Sequence, residues 1–279
     1  MLESQILLWL EEDIGLGDYT SSAVFPNHTK AHARLIVKSQ GVIAGVEVAK
    51  EIITQMDPKA SFEFYAHDGD WVETGNIAFS VASDAKTLLS CERLLLNCMQ
   101  RMSGIATKTR LLKEKIAHTS AKLLDTRKTT PGFRALEKQA VLIGGGTNHR
   151  FGLFDMIMLK DNHIDFCGGI TPAVEKVREY KAKNNLALKV EVEVRNIHEL
   201  KEVITLNGVD RIMLDNFSPN EIRDALPIIP SFFEVEASGG INESNIVAYA
   251  ETGVGFISVG ALTHQVQSLD LSFKAVIQP

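Results

Sequence analysis

Between Leu124 and Ile164 an otherwise acidic chain gathers Arg127, Lys128, Arg134, Lys138, His149, Arg150 and Lys160. Guanidinium forks match carboxylates in bidentate fashion, so two or three of them converging would recognise a small dicarboxylate. A solvated surface cluster is the plain alternative, but Pro131, Gly132 and the glycines at 144–146 shape the segment into loops. Those three glycines do not form a Walker loop, because no Gly-Lys-Ser/Thr follows. Farther on, VEVEV puts Glu191 and Glu193 on one face of a strand and the valines on the other, and Glu234 and Glu236 repeat the device. Glutamates turned to an interior need cations or a metal beside them; Arg127, Lys128, Arg150 and Lys160 are the candidates, and an exposed edge strand is the other reading. A site with both signs of charge suits a polyanionic, magnesium-carrying substrate that also bears hydroxyl groups. Ser238-Gly239-Gly240 and Val259-Gly260-Ala261 add two places where backbone approaches closely and N–H groups at a helix start bind phosphate.

These residues fall at regular places. From residue 121 on, six short apolar runs each end in a polar cluster, and the markers Asp125, Lys160, Glu193, Asp215, Ser238 and Gly260 are separated by 35, 33, 22, 23 and 22 residues. That is the length of a strand plus a helix. Segments 171–184, 196–207, 218–226 and 242–252 have helical patterning, with Ser218-Pro219 as a cap and first helical position. Alternating strand and helix implies parallel strands. The 159 residues available fall short of the roughly 200 that eight units require, so the expected fold is α/β with an incomplete (β/α) barrel; an open doubly wound sheet is the alternative. In such a barrel the strand ends Thr126–Lys128, Lys160–Asn162, Glu193, Asp215-Asn216, Ser238–Gly240 and Gly260 converge on one mouth.

Upstream, residues 30–83 alternate as strands do, and the Asp68–Gly75 turn is weakly similar to a biotinyl or lipoyl carrier hairpin without its lysine. Residues 85–118 have a helical pattern interrupted near Ser103-Gly104, with an apolar stripe wide enough for burial between domains or subunits and Arg93 as its odd member. Cys91 and Cys98 are expected there as buried small hydrophobes. With three cysteines and no C-x-x-C pair, neither a disulfide framework nor a structural zinc site is expected. The division expected is 1–108, an N-terminal domain with its connecting helix, and 109–279, the barrel. No apolar run approaches the ~18 residues of a membrane span, and Glu3, Glu11, Glu12 and Asp13 interrupt the first segment, which reads as a cytoplasmic amphipathic helix. A net charge of −6 argues against nucleic acid or an anionic membrane as partner.

The segment LLDTRKTTPGFRALEKQAVLIGGGTNHRFGLFDMIMLKDNHI closely resembles the quinolinate phosphoribosyltransferase family. The similarity continues in ERLLLNCMQRMSGIATKT, VEVEVRN, IMLDN, EASGGINESNI and ISVGALTHQVQSLDLSFK, from about Glu92 to Lys274, with Phe133 and Gln139 as tolerated variation. The resemblance implies an N-terminal α/β sandwich ahead of the incomplete barrel and a homodimer as the minimal active unit. It implies a quinolinate pocket of Arg127, Lys128, Thr129, His149, Arg150 and Lys160, reached by Arg93 of the neighbouring subunit. Glu193 and Asp215 would contact the ribose and Mg2+ of phosphoribosyl pyrophosphate, while Ser238, Gly239, Gly240, Val259, Gly260 and Ala261 would hold its 5′-phosphate. Lys128, Lys160, Glu193 and Asp215 are the expected catalytic residues, and the implied reaction forms nicotinate mononucleotide, pyrophosphate and CO2. Three rivals remain: a related transferase acting on another aromatic acid, a Schiff-base aldolase using Lys160, and a non-enzymatic carrier resting on the 68–75 turn.

Overall fold

The computed structural model describes residues 2–276, which divide into two compact units. The first comprises, among the described residues, 2–110, 132–145 and 266–276. Its elements in chain order are α1 (Leu2–Ile14), α2 (Tyr19–Val24), β1 (Lys30–Val37), β2 (Gly41–Val42), α3 (Val46–Met56), β3 (Ser61–Phe64), β4 (Trp71–Val72), β5 (Ile77–Asp84) and α4 (Ala85–Lys115). An antiparallel sheet forms from β1, β5 and β3, joined beyond β1 by a last strand described below, and β2 pairs with β4. Alternation decides its faces: Ala33, Leu35 and Val37 of β1 are buried, as are Phe79 and Val81 of β5. Phe79 meets Phe62 and Phe64 with ring centroids 6.1 Å apart. Each such side chain withdrawn from water stabilises the unit by about 1.5–3 kcal/mol.

The break expected near Ser103-Gly104 does not occur, and α4 is one continuous 31-residue helix. Both residues serve packing instead. Ser103 Oγ accepts the Ala44 backbone N–H at 2.9 Å, tying the entry to α3. A Cβ on Gly104 would stand 2.3 Å from the Gln267 carbonyl oxygen, so only glycine permits that approach. Cys91 and Cys98 are buried, as expected.

The second unit, residues 111–131 and 146–265, carries the alternating elements. Strands β6 (Lys122–Leu124), β7 (Ile157–Leu159), β8 (Val190–Val194), β9 (Arg211–Asp215), β10 (Glu234–Ser238) and β11 (Phe256–Ser258) form one parallel sheet. Between them come α6 (Asp161–Cys167), α7 (Ile170–Lys183), α8 (Ile197–Val203), α9 (Pro219–Ala225) and α10 (Ile246–Ala250), and α11 (Ala261–His264) follows β11; α5 (Arg134–Ile143) belongs to the first unit. The helix starts have the chemistry the sequence suggested. Asn196 accepts the N–H groups of His198 and Glu199, and Ser218 with Glu221 makes a reciprocal capping box ahead of Pro219.

Strand order decides between the two architectures. The sheet runs β7-β8-β9-β10-β11-β6, so the strands march in one direction and the first in sequence closes up beside the last. A doubly wound sheet reverses direction at a switch point; an incomplete barrel leaves one seam, here between β6 and β7. The unit is therefore an unclosed (β/α) barrel. Two stretches beyond residue 109 lie outside it: 132–145 with α5, and the segment from 266 onward with β12 (Leu271–Ala275), which pairs with β1 from Val37↔Leu271 to Ala33↔Ala275. The reason is the edge of β1. With β5 on one side only, its outer N–H and C=O groups need a partner, and β12 supplies it.

Candidate active site at the strand ends

A cavity of about 790 Å³ opens at the carboxyl ends of the parallel strands. Thr126, Arg127 and Lys128 enter it after β6, His149 and Arg150 from the following loop, and Lys160 and Asp161 after β7; Glu193 comes from β8, Asp215 and Asn216 from the end of β9. Ser238, Gly239 and Gly240 follow β10, and Gly260 and Ala261 follow β11. Expected residues thus converge on one mouth, with exceptions. Val259 is buried rather than lining, and Thr129 stands beside Arg127, its Oγ1 donating to the Arg127 carbonyl at 3.4 Å. Arg93 is exposed on α4, and Arg134 and Lys138 lie on α5, all three in the first unit. Asn242, His264 and Gln265 also line the cavity and were not among the residues expected there. A signal for His264 existed: it sits one helical turn beyond Gly260, and a Cβ on Gly260 would lie 3.1 Å from its Nε2.

The anionic side is compressed. Lys160 Nζ is 3.0 Å from Glu193 Oε2. Burial, and then the charge of Glu193, push the Asp215 carboxyl above the usual carboxylate range, with Lys160 pulling the other way. Asn216 Nδ2 donates to Asp215 Oδ2 at 2.6 Å while its backbone takes a left-handed φ of 57°. Gly239, with φ 95°, turns so close that a Cβ would fall 2.2 Å from Asn216 Oδ1. Only glycine closes that loop. On the cationic side, burial and then the Arg127 charge make the Arg150 guanidinium less willing to stay charged. Two crowded guanidiniums are relieved by a bound dianion.

Below the mouth lies a buried ionic stack. Glu191 and Glu236 are fully buried, and His149 Nε2 is 3.0 Å from Glu191 Oε2 and 3.3 Å from Glu236 Oε2. Arg211 bridges Glu234 at 2.8 Å and Glu236 at 3.3 Å, its guanidinium 4.2 Å from the Phe256 ring centroid. The interior glutamates therefore have basic partners, one of them expected and the others not: Lys160 serves Glu193, whereas His149, Arg211 and Lys189 serve Glu191, Glu234 and Glu236. Burial opposes charge on the His149 ring, and contact with the two glutamates outweighs it. Burial raises the Glu191 carboxyl, whereas His149 and Arg211 hold Glu236 low against its own desolvation.

His149, Glu191 and Glu236 place ligand atoms within 4.8 Å of one another, the spacing of a metal site. Arg211 already holds a positive charge against Glu236, which opposes a second cation there. Glu193 and Asp215 differ: two oxygen donors at adjacent strand ends, in a cavity open to solvent, suit Mg2+, which keeps waters and takes one or two carboxylates alongside substrate phosphates.

Two family models match the chain, "Quinolinate phosphoribosyl transferase, N-terminal domain" over residues 18–103 and the corresponding "C-terminal domain" over 105–274. The nicotinate-nucleotide pyrophosphorylase [carboxylating] of Arabidopsis thaliana chloroplasts is 45% identical over 98% of this chain and 82% of its own length. A probable enzyme of the same name from Bacillus subtilis is 43% identical over 95% and 90%. Among solved structures, NadC from Streptococcus pyogenes superimposes with TM-score 0.91 at 37% identity, covering 98% of this chain and 95% of that one. The nicotinate-nucleotide pyrophosphorylase of Francisella tularensis also gives 0.91, at 38% identity and coverages of 99% and 96%.

Proposed function

Because the chain belongs to the quinolinate phosphoribosyltransferase family, we infer that its cavity transfers phosphoribose from phosphoribosyl pyrophosphate to the ring nitrogen of quinolinate. Pyrophosphate and CO2 leave and nicotinate mononucleotide remains, a step of NAD biosynthesis. The observation that carries the reading is the division of one mouth into a paired-guanidinium side, Arg127 and Arg150, and a carboxylate side, Glu193 and Asp215. The first suits the two adjacent carboxylates of quinolinate. The second suits the ribose, where breaking the anomeric bond develops oxocarbenium-like positive charge that Glu193 and Asp215 stabilise.

Lys128 and Lys160 complete the catalytic set by screening charge on the reacting anions, and Lys160 is held by Glu193. The backbone at Ser238–Gly240 and Gly260-Ala261 receives the 5′-phosphate, where Gly239 and Gly260 admit close approach. Glu193 and Asp215 would hold Mg2+ carried in with the pyrophosphate, and the ion would supply neutralisation of charge on the leaving group. Alkylation turns the quinolinate nitrogen into a pyridinium, and that cation accepts the electron pair left when the neighbouring carboxylate departs as CO2. No covalent nucleophile is needed, so the chain's work is orientation and charge placement. Arg127 and Arg150 in the same cavity as Lys160 disfavour the aldolase reading, since a Schiff-base lysine has no use for a dicarboxylate clamp.

A homodimer is part of the same proposal. Arg93 is exposed on α4, and Leu8, Leu16, Phe154 and Phe166 present 60, 97, 72 and 90% of their surface, apolar area that a second copy would cover. Mixing inactive Arg93→Ala with inactive Lys160→Ala under subunit exchange restores partial activity if Arg93 serves the partner's site; verified mixed dimers without recovery remove it from that role. Cytoplasmic residence completes the proposal. Plant relatives are named as chloroplastic or mitochondrial, so cell fractionation decides it.

The direct test is quinolinate-dependent release of pyrophosphate, lost in excess chelator. Nicotinate lacks one carboxylate, leaves a guanidinium or ammonium unpaired and has no group to lose as CO2, so its kcat/KM falls by at least about 10³. Comparable turnover of nicotinate would overturn the dicarboxylate pocket.

A further inference from the structure

Asn216 follows directly on β9, and its backbone takes a conformation that side chains rarely adopt, with a left-handed φ of 57°. Glycine meets such a turn at lower steric cost and asparagine tolerates it, so what asparagine adds is its amide. The contacts show where that amide and its peptide go. Asn216 Nδ2 donates to Asp215 Oδ2 at 2.6 Å. An ionised carboxylate only accepts, so the nitrogen end of the amide faces Asp215. The oxygen end faces Gly239, where a Cβ would stand 2.2 Å from Asn216 Oδ1. The Asn216 backbone N–H donates to the Ser238 carbonyl at 2.8 Å, one step beyond the Asp215↔Ser238 pair of the β9–β10 ladder. Among the described residues no other side chain donates to the Asp215 carboxylate, and Lys160 Nζ bonds to Glu193 at 3.0 Å instead.

We propose that Asn216 is a positioning residue for the phosphoribosyl half of the site: its amide aims the Asp215 carboxylate, while its backbone holds that carboxylate at a set distance from the 238–240 turn. This rests on the reading of the cavity as a phosphoribosyltransferase site, with ribose at Asp215 and the 5′-phosphate at the turn. Ribose hydroxyls and 5′-phosphate belong to one small ring system, so the two subsites must keep the spacing that the ligand dictates. A misplacement of about 1 Å is costly at a reacting centre. One residue bonded to both loops keeps them in register. The quinolinate side, with Arg127 and Arg150 on other loops, does not depend on it.

The test uses the full chain and nicotinate mononucleotide, which carries ribose and 5′-phosphate and is not turned over without pyrophosphate. Asn216→Gly keeps the left-handed turn and the backbone N–H and deletes only the amide. Calorimetry then shows nucleotide binding weakened at least about fivefold, the worth of one hydrogen bond, while KM for quinolinate changes less than about twofold. Asn216→Asp keeps the shape and the turn but offers Asp215 an acceptor in place of a donor, and weakens binding at least as much. Adding Asn216→Gly to Asp215→Asn costs little beyond Asp215→Asn alone, because the amide works through the carboxylate. Unchanged nucleotide binding in the glycine variant reduces Asn216 to a turn residue and overturns the proposal. So do effects that multiply in the double variant, or a quinolinate KM that rises in step with the loss of nucleotide binding. If the unmodified protein binds the nucleotide but does not turn over quinolinate, the transferase reading falls and the binding comparison still decides the role of Asn216. If it does not bind the nucleotide, both fall.

Discussion

In the antiparallel sheet the buried residues of β1 and β5 include Ala33, Leu35, Val37, Phe79 and Val81, whereas β8, β9 and β10 of the parallel sheet bury Glu191, Glu193, Arg211 and Glu236 among their valines and leucines. The first sheet is stabilised by apolar area, which is non-directional and tolerant of exchange. The second contains charges whose desolvation is offset only by specific partners at specific distances. One sheet is a scaffold that happens to be apolar; the other is a scaffold that has the electrostatics of the site built into its strands. Damage to the first should therefore register as stability alone, and damage to the second as stability and substrate preference together.

The largest effect that would sharpen this contrast is Arg211→Met, which removes the cation that bridges Glu234 and Glu236 and leaves the first to Lys189 and the second to His149. Stability falls by about 3–5 kcal/mol, read as a shift in the urea midpoint; a loss below about 1 kcal/mol would break the contrast. Leu35→Ala in β1, where the side chain is fully buried, costs about 2–4 kcal/mol. In the fraction still folded, KM for both substrates stays at its original value. Asp215→Asn inverts the pattern. Burial and Glu193 already raise that carboxyl, so its ionised form is disfavoured by folding and neutralising it holds or slightly raises the melting temperature. Turnover nevertheless drops on the order of 10²-fold, as for loss of one electrostatic contact at a reacting centre.

The smallest effect lies at Asp18, the N-cap of α2, whose carboxylate accepts from Ser21 N at 2.9 Å and from Ser90 Oγ at 2.9 Å. Asp18→Ala costs about 1 kcal/mol. Hydrogen bonds from Ser21 hold the carboxyl below its usual value, so its contribution is present above the unfolded value near 3.9 and is lost as pH falls through the folded one. Asp18→Asn, which keeps an acceptor but carries no charge, flattens that acid limb of the stability curve.

The strand ends were legible because a (β/α) unit forces a polar residue to the mouth after each apolar run, and a spacing of 22 or 23 residues admits little else. The interior glutamates were legible for a similar reason, since alternation leaves an acid only two faces. Of their partners only Lys160 was. Arg211 opens β9 and His149 sits in a loop, and neither position announces which strands will lie alongside; pairing across a sheet is set by topology rather than by local pattern. The same holds for β12, which the expected division put with the barrel domain but which pairs with β1. The expected break in α4 rested on the low helix propensity of Ser103 and Gly104. Tertiary packing overrides it, because a small residue lets Gln267 approach and a hydroxyl holds Ala44.

The pairing of β1 with β12 sets an order of events during synthesis. Ala33 and Ala275 are partners in that ladder, about 240 positions apart, and contacts of such separation form late. While the ribosome is still making the barrel, β1 has β5 on one side and an open row of backbone groups on the other, the template on which a second nascent chain can add a strand. The barrel unit gathers its six strands from 122–258, so it can assemble while the earlier sheet still waits for its last strand. The protein then reaches maturity from the middle outward, and the half synthesised first is among the last to be finished.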